Sequence, residues 1–324
     1  MCKIIEAKDL ALSKPLRLSP GDSIAITAPA MYVPDNEQLH RGIKTIEALG
    51  FKAVVGETVN SKYQNTTGTA EFRAREIERF FADPSIKAIV CLFGGDASFQ
   101  LLKTIDYNLI KANPKIFSGM SDITHLHLAF VTQANLMSFH GIDLCWGFGV
   151  EDDQPAKKYN LDLFMQCCMN PEPLGLVPQF TPWETWRKGT ATGSIIGGWF
   201  GAVSTMRNTI YYPNLSEYIL FTEFIGAEPH NVQRDLQVME ANGFFEQVKG
   251  ILIGQIIDCE EQYYPGEVPE IKEMILAATA EYNIPVIGNV DFGHGATNIP
   301  MPEGIKVEMD ATNASLKILE PFVR

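Results

Sequence analysis

The 324 residues contain no window approaching the roughly 18 to 20 apolar residues of a membrane-spanning helix, so a protein of that kind is not expected. The opening stretch, MCKIIEAKDLALSKPLRLSPGD, breaks its apolar positions with Lys, Glu and Asp and lacks the apolar centre of a secretory signal. A soluble cytoplasmic protein without membrane contact is the expectation. Cysteine is sparse: Cys2, Cys91, Cys145, Cys167, Cys168 and Cys259 form no C-x-x-C pair. The adjacency of Cys167 and Cys168 suits neither an ordinary disulfide nor a zinc clip, so reduced and mostly buried thiols are expected, with no metal. Positive charge is also short. A formal charge of −13 and the lack of a basic stripe argue against nucleic acid as a partner. There is no internal repeat and no low-complexity tract.

What the chain does have is length and rhythm. Its size exceeds that of most single domains, and two domains with separate cores are expected. In the first half, SIAIT at 23–27 reads as a strand, and 37–49 places Leu39, Ile43, Ile46 and Leu49 on one helical stripe. A strand at 52–55, a helix at 69–82 and the apolar run IKAIVCLF at 86–93 follow. A short helix near 98–104, a strand at 115–118, a helix from Asp122 and a strand at 136–139 extend the series. This βαβα order predicts an α/β fold around a mostly parallel sheet. The rhythm breaks at 151–190. The division expected is residues 1–165 as an α/β domain, 166–190 as a linker and 191–324 as a second domain. In the latter, strands are expected at 218–222 and 249–257, a helix from Asn231, and a terminal hairpin pairing IKVEM with SLKIL across ATNA.

The most informative local feature is KIFSGMSDITHLHLAF, where a strand runs into Gly119-Met120-Ser121-Asp122 and then a helix. Such a turn exposes the Ser121 hydroxyl at the carboxyl end of the sheet, with free helix amides nearby. The plain alternative is that Ser121 only caps the helix. Upstream, Gly94-Gly95-Asp96-Ala97-Ser98 follows the most apolar strand. Gly94 and Gly95 would let the backbone approach a ligand, and one of their N–H groups could join that of Asp122 in an oxyanion hole. The acid at Asp96 and the absence of a following Lys argue against phosphate binding. Glu223 ends the strand YILFTE, and His294 lies between glycines in Phe292-Gly293-His294-Gly295. A serine nucleophile needs a base and the base needs an orienting carboxylate, which is the set these three could form. His125, His127 and His140 compete for the base, His125 at a spacing of four from Ser121.

These blocks, taken in order from LSPGDSIAITAPA through RAREIERFFADPSIKAIVCLFGG, IFSGMSDITHLHLAF and YILFTEF to FGHGATNIPMPEG, resemble the LD-carboxypeptidase and microcin self-immunity family of serine peptidases. The resemblance implies a flavodoxin-like parallel-sheet N-terminal domain, a smaller mixed α/β C-terminal domain and a site between them. It places the nucleophile at Ser121, the other triad members at Glu223 and His294, and the oxyanion amides at Gly95 and Asp122. It also implies a homodimer that needs neither metal nor organic cofactor, and small peptides or peptide-nucleotides as substrates.

Three departures stand near the expected site. Trp199 replaces the Asn of a G-G-N block, Phe224 replaces the acid after Glu223, and the glycine-pair block reads GGDAS. Within the family, cleavage of an L–D amide in murein-type peptides is the expected activity. Hydrolysis of a peptidyl- or aspartyl-nucleotide amide is the alternative. A member that has kept the fold and binds peptide without cleaving it is a second alternative, which intact Ser121, Glu223 and His294 argue against. The aromatic stretch 180–187, with Trp183 and Trp186, is either a base-stacking platform or domain-contact packing. Gly94, Asp96, Trp186, Trp199 and Arg234 are the candidate substrate contacts, Arg234 with bracing of its own helix as the other role.

Overall fold

A computed structural model describes residues 12–33, 36–213 and 218–324. Cys2 lies outside them. The strands expected in the first half form as β1 (Ser23–Thr27), β2 (Lys52–Val55), β3 (Ile86–Cys91), β4 (Ile116–Gly119) and β5 (Phe139–His140). All five are parallel and lie in the order 2-1-3-4-5, the flavodoxin-like winding. The crossovers contain α1 (Asn36–Ala48), α2 (Ala70–Ala82), α3 (Tyr107–Ala112) and α4 (Thr124–Ala129). Thr69 caps α2 by accepting from the Phe72 N–H, and Asp106 caps α3 through Asn108 and Leu109. Strand alternation gives the sheet two apolar faces: Ala88 and Val90 join Leu39 and Ile46 of α1, while Ile89 and Cys91 join Ile77 and Phe81 of α2. The strand expected at 136–139 begins later. The helical path continues past α4 through Phe130–Ala134 and ends only at Asn135, in the left-handed region at φ 54°.

After α5 (Pro155–Met169) the chain builds a larger sheet from β6 (Gly175–Leu176), β7 (Glu184–Arg187), β8 (Thr190–Trp199), β9 (Tyr218–Ile225), β10 (Val248–Ile257), β11 (Val286–Gly288), β13 (Lys306–Asp310) and β14 (Ser315–Ile318). Their order is 6-14-13-8-9-10-11-7, with β8 to β11 parallel at the centre and antiparallel strands outside. Helices α6 (Phe200–Met206), α7 (Pro229–Ala241) and α8 (Ile271–Ala278) cover one face. The terminal hairpin forms as β13 and β14. The stretch 166–190, expected as linker, finishes α5 and then supplies β6 and β7, the two opposite edges of this sheet.

The halves do not keep separate cores. Two apolar clusters each draw from both sheets, one joining Phe81 and Phe130 to Phe200 and Leu236, the other joining Ile24 and Phe164 to Phe221 and Leu316. The two-residue strand β12 (Met301–Pro302) leaves the second half to pair antiparallel with β5. Among the described residues the cysteines form no disulfide, and Cys91, Cys145, Cys167 and Cys168 are buried. No helix there is long and apolar enough to cross a membrane.

The loops at the carboxyl ends of β1 and β3 are braced by one buried side chain. Arg73 of α2 is fully buried and donates to Pro29 O at 2.6 Å, Gly68 O at 2.9 Å and Ala97 O at 3.1 Å. Arg73→Met removes these three buried bonds and leaves Pro29 O without its Arg73 donor, and chemical denaturation should show a loss of about 3 kcal/mol.

Candidate active site

β4 ends at Gly119, and the chain then turns through Met120 and Ser121 into α4. Ser121 sits at φ 61°, a left-handed conformation that a serine adopts at a cost, in keeping with an exposed nucleophile turn. Its side chain is half-buried while Asp122 and Ile123 are buried. Gly94 lies directly beneath it: a Cβ there would stand 2.8 Å from Ser121 Cβ and 3.2 Å from Oγ. The GGDAS loop is tied to this turn by Asp122, whose Oδ2 accepts from Ala97 N at 3.0 Å and Ser98 N at 2.7 Å, while Ser98 Oγ donates to Asp122 O at 2.6 Å. Gly95 takes φ 127°, and Asp96 is exposed at the rim.

Glu223 and His294 meet. Glu223 lies two residues before the end of β9 and is wholly buried; its Oε2 lies 2.8 Å from His294 Nδ1, and the His294 ring is partly exposed. A carboxylate only accepts, so Nδ1 carries the proton and Nε2 is the basic nitrogen. Gly293, at φ 112°, permits this approach, since a Cβ there would come within 2.9 Å of Glu223 Cβ. Glu223 Oε1 has no hydrogen-bond partner among the described residues.

The competing histidines are engaged elsewhere. His125 turns to Asp122, 2.8 Å from its carbonyl O and 3.0 Å from Oδ1. His127 is held between Ser138 Oγ at 2.8 Å and Gly119 O at 3.0 Å, and burial lowers its pKa to about 4. His140 is fully buried beside Thr124 Oγ1, and burial holds its pKa well below the usual value.

The loop carrying His294 is fastened by residues to which nothing in the sequence pattern drew attention. Gln255 Nε2 donates to Thr297 Oγ1 at 2.9 Å, and Asn160 of α5 donates to Ala296 O at 2.9 Å and accepts from Asn298 N at 2.8 Å. Asp291, fully buried, accepts from Phe180 N, Thr181 Oγ1 and the Trp183 indole N–H, at 2.8, 2.6 and 2.9 Å. Thr124 connects the halves, donating to Ser121 O at 2.6 Å while its Oγ1 accepts from Trp199 N at 3.0 Å.

The remaining candidates divide. Trp199 is the register partner of Glu223 on β8, and its ring lies over Gly201. Phe224 alternates to the other face of β9 and packs on Phe200 with ring centres 4.7 Å apart, so this departure is spent in the core. Trp186 covers Gly288 at the sheet edge, gives its indole N–H to Glu184 and carries Lys272 over its ring, away from the Glu223–His294 pair. Arg234 is exposed and spends its guanidinium on Asp235 and Asn231 of its own helix, which fits the bracing role.

Family models agree with this architecture: the LD-carboxypeptidase N-terminal domain matches residues 24–141 and the LD-carboxypeptidase C-terminal domain matches residues 192–309. The chain belongs to the LD-carboxypeptidase family. It is 28% identical over 314 residues to a probable murein peptide carboxypeptidase of Bacillus subtilis, covering 94% of each chain. It is 26% identical over 346 residues to the microcin C7 self-immunity protein MccF of Escherichia coli, covering 96% of this chain and 98% of that one. A solved MccF-like protein from Bacillus anthracis superimposes with a TM-score of 0.85 at 29% identity, covering 94% and 99%. As a member of this LD-carboxypeptidase family the chain is a serine-type carboxypeptidase.

Two outcomes are expected. Gly94→Ala presses a methyl group on Ser121 and should lower kcat at least about tenfold, while the melting temperature moves by a few degrees. Asp143 is fully buried, and burial raises its pKa from 3.8 to about 7 against the opposing pull of the Trp146 N–H, of His294 and of the Cys145 N–H. The folded state therefore keeps a proton that the unfolded chain releases, and stability falls as pH rises from about 4 to about 7. Asp143→Asn keeps an oxygen for Trp146 N, so urea titrations should show its stability relative to wild type growing across that window by on the order of a few kcal/mol.

Proposed function

We propose that the protein removes the terminal D-residue from murein-type peptides by cutting an L–D amide bond, with Ser121, His294 and Glu223 as its triad. The observation that carries the assignment is the 2.8 Å bond between His294 Nδ1 and the buried Glu223 carboxylate, in a chain of this family whose Ser121 stands on a strained turn. His294 Nε2 takes the Ser121 proton as Oγ attacks the scissile carbonyl carbon. The N–H groups of Gly95 and Asp122 receive the oxyanion, and the imidazolium, steadied by Glu223, returns its proton to the leaving amine of the D-residue. Water, deprotonated by His294, then releases the acyl group from Ser121.

Peptide is favoured over peptide-nucleotide by the aromatic stretch 180–187. A base-stacking site of paired tryptophans would need free indoles there, yet Trp183 is buried on Asp291 and Trp186 is packed on Gly288, leaving Phe180, against Tyr159 at 5.3 Å, as the exposed ring of the stretch. Intact Ser121, Glu223 and His294 favour cleavage over mere binding. The proposal places the enzyme in the cytoplasm as a homodimer acting on small free peptides, without metal or organic cofactor.

The test is release of D-alanine from murein tetrapeptide, followed by chromatography. Ser121→Ala and His294→Ala should lower kcat by about 10⁴-fold or more, and Glu223→Gln by a comparable or smaller factor. Aspartyl sulfamoyl adenosine run in parallel should turn over far more slowly. Hydrolysis of that compound in preference to the tetrapeptide would transfer the protein to the nucleotide-cleaving branch.

A further inference from the structure

The proposed nucleophile and base come from different sheets: Ser121 follows β4 of the first, and His294 follows β11 of the second. The β4–β5–β12 ladder ties their flanks together at Gly119, His140 and Met301, and Ser121 and His294 themselves lie on turns beyond it. We infer that Asn298, buried between them, is the positioning residue that holds Ser121 and His294 in register. This inference rests on the triad reading above.

Asn298 is almost wholly buried. Its side-chain Oδ1 accepts from Gly293 N at 3.3 Å, immediately before His294. Its Nδ2 donates to Met120 Sδ at 3.2 Å, immediately before Ser121. Its own backbone N–H goes to Asn160 Oδ1 at 2.8 Å, fixing it to α5. One planar amide therefore touches the residue preceding each member of the pair, and a shift of either loop is carried to the other.

The backbone on both sides is of the kind that needs such a hold. Gly293 at φ 112° and Ser121 at φ 61° both stand in left-handed conformations, which persist where neighbouring contacts dictate them. A thioether sulfur is a weak acceptor, so the Met120 contact adds little to stability. Its effect is geometric, and displacement of a reacting group by about 1 Å costs up to about a hundredfold in rate.

The test is the second-order rate at which a fluorophosphonate probe labels Ser121, measured with kcat and KM on murein tetrapeptide. Asn298→Ala and Met120→Leu should each slow labelling and kcat by about tenfold with KM within about twofold of wild type. Because the two residues act through one contact, the double variant should be no slower than the slower single one. Wild-type labelling in folded Asn298→Ala, losses that multiply in the double variant, or a change confined to KM would each overturn the assignment. If Asn298→Ala does not fold, Met120→Leu decides, since it exchanges side chains of similar volume. Ser121→Ala is the control. Labelling of that variant at the wild-type rate would sink the triad itself, whereas an unlabelled Ser121→Ala beside a normal Asn298→Ala would remove only the positioning role.

Discussion

A carboxylate sealed in an apolar strand end is costly unless something answers its charge, and at Glu223 that answer is the imidazole of His294. Much of the surrounding structure serves this one bond. Phe221 and Phe224 keep the strand dry, and Gly293 leaves room for the carboxylate to reach the ring. Asn160, Gln255 and Asp291 fasten the loop that carries the histidine, so the ring is held against Glu223 by contacts from α5, β10 and the 180–183 segment.

The same economy explains the shared core. Had each sheet closed on its own layers, the Ser121 turn and the His294 loop would sit on bodies free to rock against one another. Here α4 reaches β8 through Thr124, β12 pairs with β5, and apolar residues of both halves interdigitate in both clusters. Close packing of this kind deforms little. The proposed site consequently lies at a seam packed by apolar residues of both halves.

Of the two departures from the family pattern at the strand ends, only one concerns the site. Phe224 follows Glu223 directly, and strand alternation sends it to the opposite face against Phe200. Trp199 pairs in register with Glu223 and stays at the seam, giving its backbone N–H to Thr124. Trp199 and the GGDAS loop accordingly stand beside the proposed site, and Phe224 is a matter of packing.

The sequence by itself determined what depends on local periodicity and chemical type. Apolar runs bounded by glycine and proline, with amphipathic stretches between them, specified a mostly parallel sheet and the terminal hairpin, while the flavodoxin-like winding came from the family resemblance. Ser121, Glu223 and His294 were legible as strand-end and turn residues of the right kinds, and ordered blocks of resemblance gave them partners. Sequence alone left four histidines as candidate bases, because spacing along a chain does not say which rings are buried and already bonded. It likewise left Trp186 open between a stacking platform and packing, where the ring lies over Gly288 at the second sheet's edge, and it made a linker of 166–190, whose short strands are stabilised only by the neighbours they pair with. Asn298, Asn160 and Asp291 carried no signal. Their roles exist only once residues more than a hundred positions apart are folded against them, and only tertiary structure decides which distant donors and acceptors come within hydrogen-bond reach.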